Sequence, residues 1–230
     1  ELVKRIKNNN QLNIIGSSRY AKSIILNSIA KKERKNILLI SPNEEIAYKW
    51  YGYFESIGNK NVLFYPPFEN LPYASINKSK ETEYSQLSVI SKLVKNDKEE
   101  LNIIISTERA LQPHLINKKI FCENIITLIK DQEIDIKELT NKLTLLGYKR
   151  ENLTSQEGSW SRRGEIIDIY PVNNDLPVRI EFFDNIIDKI REYDPVTQRT
   201  LDNINKVEIV QVGFNLLIRK RLENLSEQGT

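Results

Sequence analysis

An incomplete phosphate-binding motif lies near the amino terminus. Residues 16–23 read G-S-S-R-Y-A-K-S, which departs from the phosphate-loop pattern G-x-x-x-x-G-K-S only where Ala21 replaces the second glycine. That glycine normally lets backbone N–H groups curl around phosphate oxygens, and a Cβ restricts the backbone and crowds the ligand. We therefore interpret Gly16, Lys22 and Ser23 as a degenerate, non-functional phosphate loop. The alternative is that Lys22 is a solvated helix residue and one of the serines a helix cap.

A second pattern with chemical content is the segment V-R-I-E-F-F at 178–183. Alternation with period two places its three apolar residues at 178, 180 and 182 on one face of a strand. Arg179, Glu181 and Phe183 then share the other face, which should meet water. An exposed phenylalanine beside an arginine is typical of an interaction hot spot. The alternative is that a neighbouring loop covers Phe183.

The segment S-W-S-R-R-G at 159–164 is interpreted as a loop that leads into the strand predicted at 164–170. It places the guanidinium groups of Arg162 and Arg163 near the predicted sheet. A guanidinium group suits a carboxylate or a phosphate, so an acidic protein surface and a nucleic acid both fit. The alternative is a solvated turn in which Trp160 points inward.

Composition excludes several classes of site. The 230 residues include one Cys and one His, so an internal disulfide is impossible and a zinc cluster is not expected. A catalytic triad would have to use His114, and no nucleophile-elbow pattern accompanies it. No strand ends in paired acidic residues suited to magnesium, so nucleotide hydrolysis is not expected either. We expect no catalytic residue, no metal ion and no cofactor.

Charge and hydropathy place the chain among soluble proteins. Its 34 basic and 31 acidic residues leave a net charge of +3, which decides nothing about nucleic-acid binding. There is neither an apolar run of about 18 residues nor a signal-peptide core, so we expect a cytoplasmic protein without membrane contact. The chain has no Met, and we expect it to be a piece of a longer polypeptide.

The order of the predicted elements favours an α/β fold with two kinds of sheet. Over residues 1–123, strands at 12–15, 36–40, 62–65 and 101–105 alternate with helices, which predicts a parallel sheet covered on both faces. Ser41 and Pro42 are interpreted as the cap and first residue of the second helix. A further helix is predicted at 80–95, and Thr107 is expected to cap a short helix.

From about residue 124 the pattern changes to an α+β unit with an antiparallel sheet, which extends to 212. Strands are predicted at 125–129, 164–170, 178–183, 186–193 and 207–212, and a helix at 134–146. Asp184 and Asn185 form a plausible tight turn between two of these strands. Residues 213–230 are interpreted as the start of a segment that returns to the first lobe, truncated here.

Four motifs, taken together, resemble a known family. They are F-Y-P-P-F-E-N-L-P-Y at 64–73, R-G-E-I-I-D-I-Y-P at 163–171, P-V-R-I-E-F-F-D at 177–184 and D-P-V-T-Q-R at 194–199. In this order and spacing they resemble the N-terminal region of the bacterial transcription-repair coupling factors, the Mfd family. That region is similar to the excinuclease subunit UvrB, but the defective loop at Ala21 and the short stretch from 65 to 80 favour the coupling factors.

The resemblance implies a fold and a partner. It implies a degenerate helicase-like lobe, related to P-loop NTPases, into which the α+β unit at 124–212 is inserted as the domain that binds UvrA. The family's contact positions match Arg163, Arg179 and Phe183. Arg162 departs from the family pattern and could add affinity or only solubility, and Glu181 is a further candidate on the same strand as Arg179.

The resemblance also implies a larger machine. Family members translocate on double-stranded DNA by ATP hydrolysis in a separate C-terminal motor, displace stalled RNA polymerase, and mask the UvrA-binding surface until then. This chain would be the non-catalytic part that recruits UvrA for nucleotide excision repair. Two alternatives stay open: nucleotide binding through Lys22 and Ser23, and direct DNA binding through Arg162, Arg163 and surface lysines, which predicts a steep salt dependence.

Overall fold

The computed structural model describes residues 13–68, 80–95, 101–112 and 117–215. Leu12, His114, the predicted segment 213–230 beyond residue 215, and residues 69–73 of the motif at 64–73 lie outside the described residues. The chain divides into two compact units, one of residues 1–74 and 95–114 and the other of residues 75–94 and 115–230.

Helices and strands follow one another along the described chain. In chain order they are α1 (Arg19–Glu33), β1 (Ile37–Ser41), α2 (Glu44–Ser56), β2 (Val62–Tyr65), α3 (Lys80–Lys95), β3 (Ile103–Thr107), α4 (Glu108–Leu111), α5 (Lys118–Glu123), β4 (Ile126–Ile129), α6 (Ile136–Leu145), β5 (Lys149–Arg150), β6 (Ser159–Arg163), β7 (Ile166–Tyr170), β8 (Val178–Phe183), β9 (Ile186–Tyr193), β10 (Thr200–Ile204) and β11 (Lys206–Ile209).

The first unit contains a three-stranded parallel sheet in the order β1-β3-β2. The central strand β3 is buried along its whole length, as its run of isoleucines predicts for a strand with neighbours on both sides. Ala47 and Phe54 of α2, seven residues apart on one helix face, pack with Val62 and β3 to form the core of this unit.

Three expectations for this unit are corrected by the structure. Residues 13–15 do not form a strand, and Ile15 is 89% exposed. Helix α2 begins after Asn43, whose Oδ1 accepts a hydrogen bond of 2.9 Å from the N–H of Ile46, so the predicted cap Ser41 instead ends β1. Leu38 and Ile40 on edge strand β1 are about half exposed, so this strand is not buried on both faces.

The second unit is built on a six-stranded sheet in the order β10-β9-β8-β7-β6-β5. Its strands pair antiparallel, except for the short parallel pair β5–β6. A separate two-stranded antiparallel sheet joins β4 and β11. The structure therefore confirms a mixed α/β fold with parallel and antiparallel sheets.

Helix α6 closes one face of the six-stranded sheet. Its N-cap Asp135 accepts hydrogen bonds from the N–H groups of Lys137 and Glu138, and Leu139 and Leu143 turn into the core at helical spacing. The core side of the sheet contributes the buried apolar residues Trp160, Ile167, Ile169, Val178, Ile180, Phe182, Ile187 and Ile190. A second cluster joins Tyr84 and Leu87 of α3 to Phe121 of α5.

Local sequence signals missed several elements of this unit. The segment 159–163 is strand β6 and not a loop, because Trp160 points inward and the segment pairs along its whole length with β7. The short strand β5 and the exposed strand β10 were not predicted, since neither shows apolar alternation. Helix α5 was also missed. Among the described residues, no helix is both long and apolar enough to cross a membrane.

Gly158, which immediately precedes β6, lies very close to Tyr84 of α3 and to Val212. A larger residue at this position therefore measures how tightly these residues pack. The φ of Gly158 is +76°, and a Cβ there would lie 2.8 Å from Oη of Tyr84 and 3.2 Å from Cγ1 of Val212. Gly158→Ala should lower the free energy of unfolding by about 2 kcal/mol, through backbone strain and overpacking. The measurement is urea-induced unfolding followed by circular dichroism.

Gly52→Ala is the matched control, because Gly52 is helical and a Cβ there would meet nothing within 4 Å. It should raise the stability by roughly 0.5–1 kcal/mol, the difference in helix propensity. Equal stability of Gly158→Ala and the wild type would contradict the packing described here.

Candidate protein-docking site

Strand β8 divides its side chains between the two faces of the six-stranded sheet. Val178, Ile180 and Phe182 are buried, whereas the Phe183 side chain is 71% exposed. The alternation predicted from the sequence is therefore the one observed. We call the face that carries Phe183 the outer face.

Strand pairing decides which of the predicted residues meet on the outer face. Arg179 is opposite Asp168, and Arg163 is opposite Ile166, which is in turn opposite Glu181. Cross-strand partners share a face, so Arg163, Arg179, Glu181 and Phe183 lie together.

Arg162 is not brought to the outer face. Its cross-strand partner is the fully buried Ile167, so Arg162 projects toward the core side at the exposed end of β6. There its Nε donates a hydrogen bond of 2.9 Å to the carbonyl of Gly164. Trp160, two residues before it, also points inward, as the alternative interpretation of this segment held.

Two isoleucines extend the apolar part of the outer face. Ile186 is the cross-strand partner of Phe183, and Ile166 lies on the neighbouring strand β7. Both side chains are substantially exposed. Both residues lie in predicted strands that had no assigned role. A two-residue turn at Asp184 and Asn185 pairs Phe183 with Ile186, and Asp184 adopts a φ of 54° in that turn.

A buried ion pair lies beside this apolar patch. The Asp168 side chain is 2% exposed, and Arg179, which is 19% exposed, binds it with two hydrogen bonds: Nε to Oδ1 at 2.7 Å and Nη2 to Oδ2 at 3.0 Å. The hydrogen bonds to Asp168 raise the pKa of Arg179 above its ordinary value. Two parallel charge-assisted hydrogen bonds fix the guanidinium plane.

Two more residues hold Arg179 in this position. Its Nη2 donates a hydrogen bond of 3.2 Å to Oε1 of Gln198, and its guanidinium carbon lies 4.7 Å from the centre of the Tyr193 ring. Sequence reasoning missed Asp168, Gln198 and Tyr193, because a partner across strands and loops leaves no local pattern.

The loop that carries Gln198 is held by Asp194. Oδ1 of Asp194 accepts hydrogen bonds from the N–H of Thr197 at 2.6 Å and the N–H of Val196 at 3.0 Å. These hydrogen bonds lower the pKa of Asp194, the one from the Thr197 N–H most. The turn at 194–199 thus places Gln198 beside Arg179.

Arg163 and Glu181, the other charged candidates on the outer face, differ in exposure and in how firmly they are paired. Arg163 is 58% exposed and makes a single 3.4 Å contact from Nη2 to Oδ2 of Asp168. Glu181 accepts a hydrogen bond of 3.1 Å from Nη2 of Arg191 and is partly buried. Arg163 is therefore the more available of the two for a partner.

In the segment interpreted as a degenerate phosphate loop, the hydroxyl groups of Ser18 and Ser23 are engaged in and around α1. Gly16 has a φ of +80°, and Ser18 caps α1 by accepting a hydrogen bond from the N–H of Ala21. Ser23 is fully buried, and its Oγ donates a hydrogen bond of 2.7 Å to the carbonyl of Tyr20. The hydroxyl that would meet magnesium in a working loop is thus engaged within α1.

A separate cavity of about 570 Å³ lies within the second unit. Its charged lining consists of Glu81, Glu83, Glu151, Glu157, Lys80 and Lys149. Partial burial raises the pKa of Glu157, and Asp175 and Glu81 raise it further. No group of His, Cys, Asp and Glu side chains in the part of the chain that the structure describes is arranged to hold a metal ion.

Comparison with known proteins finds relatives of this chain. Residues 126–212 match the sequence model of the UvrB interaction domain family. Over 216 residues, 94% of its length, the chain is 32% identical to the transcription-repair-coupling factor of Staphylococcus haemolyticus. The predicted resemblance to transcription-repair coupling factors is confirmed. The Bacillus subtilis coupling factor is 29% identical over 85% of the chain, and that of Haemophilus influenzae 26% over 83%.

The similarity covers only part of each coupling factor. The chain spans 18% of the Staphylococcus haemolyticus protein and 16% of the other two. As predicted, the matching part is their N-terminal, UvrB-like region. Arg163, Arg179, Glu181 and Phe183 all fall within the stretch matched to the UvrB interaction domain.

The Asp168–Arg179 pair should contribute strongly to stability. Arg179→Ala leaves a carboxylate in a buried position with only the longer contact from Arg163, so we expect a loss of about 3 kcal/mol in the free energy of unfolding. Urea-induced unfolding of the purified variant measures this loss.

Arg191→Ala is the matched control on the same face, because its partner Glu181 is less deeply buried and can be hydrated. Arg191→Ala should lower the free energy of unfolding by about 1 kcal/mol or less. Equal losses of stability in Arg179→Ala and Arg191→Ala would contradict the idea that the burial of Asp168 makes its ion pair the more important one.

Proposed function

We propose that this protein is a non-catalytic docking module that recruits UvrA, as the N-terminal part of a longer transcription-repair coupling factor. The observation that carries the proposal is the exposed Phe183, which lies on a sheet face with Arg163 and Arg179, inside the stretch matched to the UvrB interaction domain. This combination supports protein docking over catalysis.

The apolar part of the outer face favours a partner over water. Burial of a phenylalanine side chain stabilises by roughly 1.5–3 kcal/mol relative to exposure. Phe183 does not gain this energy within the chain, and neighbouring Ile186 and Ile166 widen the apolar area. A partner with a matching apolar depression would therefore gain affinity from all three side chains.

The charged part of the outer face selects the kind of partner. The guanidinium group of Arg163 is mostly exposed, and Arg179 presents a smaller exposed edge. We infer that acidic groups of UvrA flank the depression that receives Phe183, and that Glu181 contributes less because Arg191 already pairs with it. Arg162 lies outside this surface.

The first unit fits a degenerate helicase-like lobe. Its parallel sheet with the order β1-β3-β2 and a helix that begins after Gly16–Ser18 support this assignment. We propose that residues 1–123 are the first part of this lobe, 124–212 the UvrA-binding domain and 213–230 the start of the returning segment. Helices α3 and α5, which this division assigns to the lobe, lie in the second compact unit, where they pack with Val172 and Val210.

The wider role follows from the relatives. We propose that the complete protein is an ATP-dependent translocase on double-stranded DNA, acts on stalled RNA polymerase in the cytoplasm, and masks the outer face until it engages polymerase. The fragment itself would need neither a cofactor nor a metal ion for docking.

Binding to purified UvrA tests the proposal. Phe183→Ala and Arg163→Ala should each weaken binding by about 30-fold, because truncation of a central hot-spot side chain costs about 2 kcal/mol. Isothermal titration calorimetry gives the two dissociation constants, and circular dichroism verifies that each variant is folded.

Arg162→Ala is the matched control, since it removes the neighbouring guanidinium group from the opposite side of β6. Its dissociation constant should stay within about threefold of the wild type, as expected for a residue outside the interface. A loss as large as that of Arg163→Ala, or unchanged binding by Phe183→Ala, would place the interface elsewhere.

The nucleotide-binding alternative predicts saturable ATP binding, which we do not expect. The Cβ of Ala21 and the internal hydrogen bond of Ser23 both oppose a phosphate cradle. Equilibrium dialysis with ATP and magnesium at concentrations up to about 1 mM, the upper range of typical substrate constants, measures this directly. Saturation that Lys22→Ala abolishes would overturn this expectation.

Direct DNA binding has less support from the structure. That alternative combines Arg162, Arg163 and surface lysines, but the two arginine side chains lie on opposite sides of β6. In addition, Arg163 lies against the carboxylate of Asp168, whose charge is opposite to its own.

A further inference from the structure

We propose that Asp168 is a positioning residue of the docking surface: it is fixed by Arg179 and in turn orients Arg163 toward the partner. The proposal rests on UvrA docking through the outer face. It assigns a role to an acidic residue whose charge has the same sign as the acidic groups expected on the partner.

The geometry centres on one carboxylate oxygen. Oδ2 of Asp168 accepts a hydrogen bond of 3.0 Å from Arg179 and one of 3.4 Å from Arg163. The other oxygen, Oδ1, accepts the 2.7 Å hydrogen bond from Nε of Arg179. Asp168 therefore bridges two guanidinium groups of unequal exposure.

Arg179 acts as the anchor of this arrangement. Two hydrogen bonds to Asp168, a third to Gln198 and the ring of Tyr193 restrict its guanidinium group from several directions. The Tyr193 ring is itself buried, and its Oη donates a hydrogen bond to the carbonyl of Thr154. The carboxylate of Asp168 is thus held in one place before any partner arrives.

Arg163 depends on that fixed carboxylate for its direction. Its side chain is mostly in water, and Asp168 is the acidic side chain that it contacts among the described residues. Without the negative charge, the two guanidinium groups would face each other unshielded, and like charges at short range repel. Arg163 would then turn away into solvent, and binding would have to restrict its rotamers again.

A positioning role and a purely electrostatic role of Asp168 predict opposite changes in binding affinity when its charge is removed. If Asp168 acted only through its charge, removal of that charge would make the outer face more positive and tighten binding to an acidic partner. If Asp168 positions Arg163, its neutralisation weakens binding. This difference in sign makes the role testable.

The first measurement compares two neutralised carboxylates on the same sheet by titration with purified UvrA. Asp168→Asn should weaken binding about tenfold, a factor within the range of coupled polar contacts. Asp188→Asn is the matched control, because it removes an exposed charge that pairs with Lys189, and it should change binding less than about twofold. Unchanged or tighter binding by Asp168→Asn would overturn the proposal.

A double-mutant cycle separates positioning from general destabilisation. In the Arg163→Ala background, the effect of Asp168→Asn should shrink below about threefold, because the residue through which it acts is gone. A tenfold effect that persists in this background would show that Asp168 only supports the fold. If Asp168→Asn does not fold, Asp168→Glu replaces it. That variant keeps the charge but moves the carboxylate, so it should still weaken binding, and unchanged binding would overturn the proposal.

Nuclear magnetic resonance of the arginine side chains gives a result that does not depend on UvrA. In the wild type, the Nε–H signal of Arg163 should report a restricted guanidinium group, and Asp168→Asn should make it mobile. An Arg163 signal unaffected by Asp168→Asn would overturn the positioning role. Absence of UvrA binding by the wild type, together with the expected signals, would instead reject the proposed function and leave the internal arrangement supported.

Discussion

A buried carboxylate determines how the charged side chains of the outer face are arranged. Asp168 lies on the outer face of the six-stranded sheet, yet its side chain has almost no contact with water. An unpaired charge in such a place is costly, so the surrounding chain must supply a counter-charge and cover. Arg179 supplies the charge, while Tyr193 and the loop held by Asp194 limit the space around Arg179. The order of this half of the outer face follows from that requirement.

The other half of the outer face has the opposite character. Around Phe183 and Ile186, strands β8 and β9 meet at a two-residue turn and their apolar side chains stay exposed. The outer face thus combines a rigid charged part with an open apolar part on adjacent strands. Such a combination suits recognition: the charged part can set orientation, and the apolar part can supply the affinity on desolvation.

Much of this architecture could be predicted from the sequence, for reasons that are local. The alternation in 178–183 gave the bounds of β8, and helical periodicity gave those of α3. Segment 159–163 was taken for a loop because its serines and arginines resemble a turn, although pairing with β7 makes it a strand. The helix cap is Asn43 and not the predicted Ser41, because β1 continues to Ser41 and its end has no local sequence signal. Asp168 could not be given a role, since its main partner Arg179 is 11 residues away on another strand, and Gln198, which also binds Arg179, is 19 residues further along the chain.

The opposite orientation of Arg162 and Arg163 also constrains how this region can change in length. A single inserted or deleted residue in β6 that shifts its pairing with β7 would exchange the two side chains between the faces of the sheet. The same shift would bring Trp160 out of the core and leave Asp168 opposite a different neighbour. Insertions in the segment that precedes β6 avoid this problem, because they leave the pairing intact. A change of length near β6 is therefore compatible with this outer face only where the β6–β7 pairing is kept.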